Sequence, residues 1–349
     1  MRTVRKVSAR YAVLLRDWLC TQGIDADTLL RTAGLGDARL QRRDAMLEPA
    51  EMEAFVAAGR LLSGRSDLGF ELGRLIKMTS HDLLGYGMLS CRNIDEVLRL
   101  VARHYHLMTE TFTLRYQRFG NGNGEAIYTP AMPMPPEMLC FYLEALAVAH
   151  DNQLRLMVPE GSREPYDVHM SMPAPPHLAR YLALAPARFH FDGNALPAVR
   201  VVMSASTLDY PLPFADDHVV KEVDRRCSEL APRPGSARLD WVAYLRMMFL
   251  QAEGEPPTLE SIARNHRVSA RTIDRHLRRQ NMSFRELLHE ARIERACSLL
   301  GDPTLTVAKV AQRLGFSDAA NFSRAFRRAL GTPPSEYRQQ AQPSKEAVD

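Results

Sequence analysis

Apolar residues recur at helical spacing over most of the first hundred positions. Residues 47–62 (LEPAEMEAFVAAGRLL) and 93–108 (NIDEVLRLVARHYHLM) both carry the 3.6-residue period, opened by Glu48-Pro49 and by Asn93. Near the start, Val4, Val7, Tyr11, Leu14, Leu15 and Leu19 fall on one face of a predicted helix. Arg16 and Asp17 interrupt that apolar run, which fits an amphipathic helix and not a signal peptide. The period then drops to two. Residues 111–119 (TFTLRYQRF) and 125–130 (EAIYTP) alternate about the turn sequence GNGNG, which predicts a β-hairpin. A helix over 136–154, a strand over 167–172, a short helix over 176–184 and strands over 187–191 and 199–203 follow. Strands and helices are mixed without regular β-α alternation, so an α+β domain is expected over residues 1–227. Residues 228–237 (SELAPRPGSA) read as a linker, because their prolines stop a helix and Gly235 loosens the chain. From 238 to 340 only helical patterns occur, joined by short turns, and a polar tail closes the chain at 341–349. The expected fold is thus an α+β domain followed by an all-α domain.

The all-α part contains an internal repeat. Ile262-Ala263 aligns with Val310-Ala311, and Val268-Ser269 with Phe316-Ser317. One extra residue then enters the second copy, after which Ile273, Arg275, Leu277 and Arg278-Arg279 align with Phe322, Arg324, Phe326 and Arg327-Arg328. Each copy reads as a short helix, a turn and a second helix opened by a serine, Ser269 or Ser317, able to cap it. Gly315 offers the positive φ that the second turn requires. In each second helix one side is apolar, Ile273 and Leu277 or Phe322 and Phe326, and the other is polar. Such a helix suits a DNA major groove, where arginine reads guanine and asparagine reads adenine through paired hydrogen bonds.

Charge sharpens that reading. Residues 1–236 hold 27 Lys and Arg against 28 Asp and Glu, whereas 237–349 hold 18 against 13, so the basic excess is C-terminal. The five cysteines, Cys20, Cys91, Cys140, Cys227 and Cys297, are scattered and never spaced C-x-x-C. That pattern points to a reducing cytoplasm and away from a disulfide framework, a zinc site or a metal-thiolate repair enzyme. No Gly-rich phosphate loop, nucleophile elbow or H-E-x-x-H helix is present, so neither an enzyme nor a cofactor is expected. His104 and His106 face apart on a helix, which disfavours a metal site there, and no apolar run is long enough for a membrane span.

The segment 258–338 resembles the DNA-binding domain of the AraC/XylS family of bacterial transcription regulators. The resemblance rests on Phe322-x-Arg324-x-Phe326-Arg327-Arg328 followed by Gly331-x-x-Pro334-x-x-Tyr337-Arg338. It implies two helix-turn-helix units joined by a long helix, here 284–300, of roughly 25 Å, which sets the reading helices about one DNA turn apart. Carried over by position, Arg271, Asp274 and Arg275 of the first reading helix fall at base edges. Ala320, Asn321, Ser323 and Arg324 of the second fall there or at phosphates. Arg278, Arg279, Arg327 and Arg328 are the expected phosphate contacts. Asp274 either accepts from cytosine N4 or orients Arg271 and Arg278, the latter being favoured. His266-Arg267 replaces the apolar residue and glycine common in relatives, which implies a strained turn or a phosphate contact. Residues 13–214 resemble the effector domain of the subfamily that includes ornithine-utilisation regulators, through 83–108, the hairpin and the stretch ending YPLPFAD. The resemblance implies a small-molecule effector and a homodimer but identifies no ligand. By residue type, Tyr86, Arg103, Tyr105 and Arg115 are candidate lining for a carboxylate ligand, the alternative being surface salt bridges, the commoner role of scattered arginines. The sugar-binding cupin of the family's founder is not evident. An activator working with double-stranded DNA and RNA polymerase at the nucleoid is the leading expectation, and an N-terminal domain that only dimerises or binds a protein is the alternative.

Overall fold

A computed structural model describes residues 6–40, 45–191, 196–230, 239–252, 256–266 and 268–341. The chain divides into two compact units, one formed by most residues before Asp240 and the other from Asp240 onward. Most of the proposed linker, and Arg267, lie outside the described residues.

The first unit opens with a two-residue strand, β1 (Val7–Ser8), followed by α1 (Ala9–Thr21), α2 (Ala26–Thr32) and α3 (Asp37–Leu40). β1 pairs antiparallel with β2 (Met46–Leu47), so Val7 belongs to a strand rather than to the amphipathic first helix, and Val4 lies outside the described residues. The helix buries Ala9, Ala12, Leu15 and Leu19. α4 (Pro49–Ser63) starts at a capping box made by Glu48 and Glu51, with proline in the first helical position, where its missing N–H costs nothing. α5 (Leu68–Leu75), α6 (Asp82–Ser90) and α7 (Ile94–His104) complete the helical half, and the Asn93 side chain caps α7 by accepting from the Glu96 N–H. A single 3-10 turn, Tyr105–Leu107, ends α7 early and leads into the sheet.

The hairpin forms as the alternation predicts: β3 (Phe112–Arg118) pairs with β4 (Gly124–Pro130), with Arg118 opposite Gly124. After α8 (Pro136–Met157) come β5 (Tyr166–Met170), α9 (Leu178–Leu182), β6 (Ala187–Phe191) and β7 (Val199–Met203). The sheet order is β3-β4-β7-β5-β6, antiparallel except for β5 beside β6. Val201 of β7 sits between Ala126 and Val168, all fully buried, and α8 packs on this side against β5 and β7. α5 crosses α8 closely because it presents Gly69 and Gly73. A Cβ at Gly73 would lie 2.6 Å from Val148 Cβ and 2.8 Å from the Ala145 carbonyl. α10 (Ala205–Leu208) and α11 (Asp217–Glu229) end the unit. The sequence pattern gave no sign of α11, whose residues are mostly polar and which buries only Val223 and Cys227. α11 carries the chain two residues into the proposed linker.

The second unit is helical throughout its described residues: α12 (Trp241–Gln251), α13 (Leu259–Asn265), α14 (Ala270–Arg278), α15 (Phe284–Leu300), α16 (Val307–Arg313), α17 (Ala319–Leu330) and α18 (Pro334–Ala341). α18 was not expected from the apolar period. It starts on a buried proline after Gly331, whose φ of 80° ends α17 in the left-handed conformation.

Candidate functional site

The two copies of the repeat are built by the same local chemistry. Thr258 caps α13 and Thr306 caps α16, each hydroxyl accepting a backbone N–H at 3.2 Å. Ser269 caps α14 through the Thr272 N–H at 3.1 Å. In the second copy the cap is Asp318, not the expected Ser317: its Oδ1 accepts the Asn321 N–H at 2.7 Å. The two turns run alike through Val268 and Phe316, so the inserted residue falls between Phe316 and the cap, while Gly315, with a φ of 70°, makes the turn itself. The Asp318 carboxyl, held below its ordinary pKa first by that backbone N–H, places a negative charge at the positive end of α17.

Behind each reading helix lies a matching core. Ile262, Ala263, Ile273 and Leu277 are buried in the first copy, and Val310, Ala311, Phe322 and Phe326 in the second. Phe322 packs on Phe316 and Phe326, and Phe326 on Tyr337 of α18. The Arg338 Nε donates to the Leu300 carbonyl at 3.2 Å, satisfying the C-terminal end of α15. The signature residues are thus core and cap on one side and solvent-facing arginines on the other.

His266 is not strained and does not point outward. Its φ is −94°, its Nε2 lies 2.8 Å from the Tyr244 hydroxyl, and the Trp241 ring packs against it, so it belongs to the core between α12 and α13.

On the outer face of α14, Arg271, Arg275, Arg278 and the following Arg279 are exposed. Asp274 is half-buried and pairs with Arg278 Nε at 2.9 Å, one helical turn on. Arg271 and Arg275 have no hydrogen bond or ion pair among the described residues, so both guanidinium groups stand free on one face. On α17, Ala320, Arg324, Arg327 and Arg328 are exposed, but the polar groups between them are engaged. Ser323 is half-buried and donates to the Ala319 carbonyl at 2.8 Å. The Asn321 amide donates at 2.7 Å to both Ser317 Oγ and Asp318 Oδ2, and its oxygen accepts from Arg324.

The first unit contains a partly open cavity of about 70 Å³ between α1, α5, α7, α8 and the β3-β4 hairpin, with two separate voids of about 30 Å³ each sharing some of its lining residues. Of the four residues picked from the sequence, Tyr105 lines it and is buried. The other three lie elsewhere. Tyr86 is 71% exposed on the side of α6 opposite Leu84 and Met88. Arg103 holds both oxygens of Asp224 at 2.7 Å. Arg115 sits on the face of β3 opposite Phe112 and Leu114, by strand alternation. A carboxylate clamp from these residues is not assembled. His104 is buried against Asp224 at 2.7 Å, with the His106 ring 6.3 Å away, and no metal-ligating group occurs among the described residues.

Apart from Tyr105, the polar part of the cavity wall consists of residues that the sequence did not single out as ligand-binding. The Tyr128 hydroxyl shares a hydrogen bond with His150 Nδ1 at 2.9 Å, the Gln153 amide contacts His81 Nε2 at 3.0 Å, and Tyr11 donates to the Met108 carbonyl at 3.0 Å. Burial pushes both histidines down to about 4, and Arg10 adds to the effect at His81, so both rings are neutral near pH 7. The signal was present in α8, where Tyr142, Leu146, Ala149, His150 and Gln153 form one stripe at helical spacing and all reach the cavity.

Comparison with known proteins agrees with both units. The family profile described as "Arabinose-binding domain of AraC transcription regulator, N-term" matches residues 23–212, and a helix-turn-helix domain profile matches residues 262–340. The chain is 26% identical to an ornithine utilization regulator of Pseudomonas aeruginosa, over 97% of each chain. It is 29% identical to an uncharacterized HTH-type transcriptional regulator of Mycobacterium tuberculosis, over 89% of this chain and 90% of that one. Among solved structures, the transcriptional regulator CdpR from Pseudomonas aeruginosa aligns over 90% of this chain and 96% of its own, with 21% identity and a TM-score of 0.41.

Proposed function

Because the chain belongs to the AraC family of DNA-binding transcription regulators, we propose that it is a non-enzymatic, cytoplasmic activator that reads duplex DNA through α14 and α17 and is controlled by a small molecule held in the cavity of its first unit. The observation that carries the DNA reading is the pair of capped, core-backed helices with exposed arginines on the opposite face. Arg271 and Arg275 reach base edges, and Arg279, Arg327 and Arg328 neutralise phosphates. Asp274 holds Arg278 in place, and Asn321 and Arg324 act together in the second half-site. The cavity supports effector control over an N-terminal domain that only dimerises, since a dimerisation module has no need of one. A homodimer and contact with RNA polymerase complete the reading.

The test is a mobility-shift titration of the full chain on the DNA flanking its own gene. Wild type should bind one site, and Arg275→Ala should lose the preference for that site over random duplex. Equal affinity of wild type for both duplexes would overturn the assignment of sequence reading to these helices.

A further inference from the structure

The wall of the first unit's cavity says what kind of molecule fits it. None of the described residues that line it is a lysine, arginine, aspartate or glutamate. The rest of the wall is aliphatic and aromatic, interrupted by tyrosine and threonine hydroxyls, Gln153 and two histidines. Both histidines are neutral near pH 7 because burial disfavours the imidazolium.

An ionised ligand would enter this site without a counter-charge, and an unpaired charge in an apolar enclosure carries a heavy desolvation penalty. An amino acid such as ornithine, which presents a carboxylate and ammonium groups together, is thereby disfavoured, although one relative is an ornithine utilization regulator. A polyhydroxylated sugar fares little better. Its hydroxyls each need a partner, and most of the wall is aliphatic and aromatic and offers none.

Size narrows the class further. The cavity of about 70 Å³ and its two flanking voids of about 30 Å³ approach, taken together, the roughly 150 Å³ hydrophobic cavity that accepts benzene. The Gln153 amide contacts His81 Nε2, and His81 Nδ1 is fully buried, out of reach of a molecule in the cavity.

We infer that the effector is an uncharged molecule no larger than one six-membered ring and apolar over most of its surface. The inference rests on the reading of the first unit as an effector sensor and adds the ligand class to it. Phenol and benzyl alcohol represent the class. Benzoate keeps the ring and adds a charge, and L-ornithine and L-arabinose represent the excluded chemistries.

Calorimetric titration of the full chain at pH 7 with each of the five compounds tests it. Saturable binding of phenol or benzyl alcohol is expected, with benzoate at least about tenfold weaker and ornithine and arabinose silent. Leu146→Phe, which fills the cavity from α8, should weaken the neutral rings at least about tenfold while leaving the far-ultraviolet circular dichroism unchanged. If that variant does not fold, Val101→Phe fills the same space from α7. Binding of benzoate, ornithine or arabinose in preference to the neutral rings overturns the ligand class and leaves an effector sensor standing. Phenol binding unaffected by the cavity-filling variants overturns the site. Silence of all five compounds overturns the proposed class, and a heat signal from a broader metabolite set then decides whether the sensor reading falls with it.

Discussion

The two reading helices should differ in stringency, and the structure gives the size of the difference. Arg271 and Arg275 stand one turn apart on α14 with no protein partner among the described residues, so a guanine contact costs them no existing bond. A bidentate arginine–guanine contact contributes about 1–3 kcal/mol of base discrimination, roughly a 5- to 150-fold preference at that position. Asn321 starts from a different state. Its amide already donates to Ser317 and Asp318 and accepts from Arg324. Each of these bonds is worth about 0.5–1.5 kcal/mol net, with exposed ones at the low end, so freeing the amide costs on the order of 2 kcal/mol. That cost nearly cancels the gain from reading adenine. Arg271→Ala and Arg275→Ala are therefore predicted to blur the half-site under α14, and Asn321→Ala to change the other half-site little. Selection of bound sequences from a randomised duplex pool, performed with the three full-length variants, measures this directly. If the half-site under α17 is the better defined, and Asn321→Ala erases it, the reasoning from engaged and free side chains is refuted.

Other outcomes follow from the same geometry. Binding to DNA should weaken steeply between about 50 and 200 mM salt, and Arg279→Ala should weaken it on all sequences alike and flatten the slope by about one, as read from filter binding. Asp318→Ala should destabilise the second unit by about 1 kcal/mol through loss of the cap, and Ser317→Ala by much less, measured by urea unfolding followed at Trp241. Gly73→Ala should destabilise the first unit by roughly 1–3 kcal/mol, because the new methyl group meets Val148 and a backbone carbonyl, and calorimetry would show the lower Tm. For His81 and His150 the folded-state pKa lies below the unfolded value, so the unfolded chain takes up protons first as pH falls. Their contribution is complete above about pH 6.5 and is lost towards pH 4, by up to about 3 kcal/mol each, and His81→Gln or His150→Gln should flatten the acid limb of a stability–pH curve.

The fold was legible wherever one face of an element is buried. The hairpin, α8, the repeat and α15 all declare themselves through a period of two or of 3.6. α11 and α18 do not, because α11 buries only two side chains and α18 rests on a proline start and a few contacts to its neighbours. Val7 shows a different limit: an apolar residue at helical spacing was drawn into a strand by pairing with Leu47, a partner forty positions away. At the DNA-facing helices, residue type and spacing identified which side chains are exposed, but not which are already bonded, so Asn321, Ser323 and the cap at Asp318 emerged only with coordinates. The cavity was harder still. Arginines and exposed aromatics attract attention in a sequence, while the groups that line the cavity are tyrosines, histidines and a glutamine in otherwise apolar stretches, each unremarkable alone.

α7 has two jobs at its C-terminal end. Val101 and, just beyond the helix, Tyr105 form part of the cavity wall, while Arg103 and His104 grip Asp224 on α11 at 2.7 Å. Gly87 brings α6 close enough to touch both, since a Cβ there would lie 2.7 Å from Val223 and 2.9 Å from Leu100. α11 is also the helix by which the chain leaves the first unit. One beam thus carries both a wall of the cavity and the anchorage of the helix by which the chain leaves the unit, with barely a helical turn between them. An occupant that nudged Tyr105 by a fraction of an ångström would be pushing on the base of the tether rather than on some distant surface.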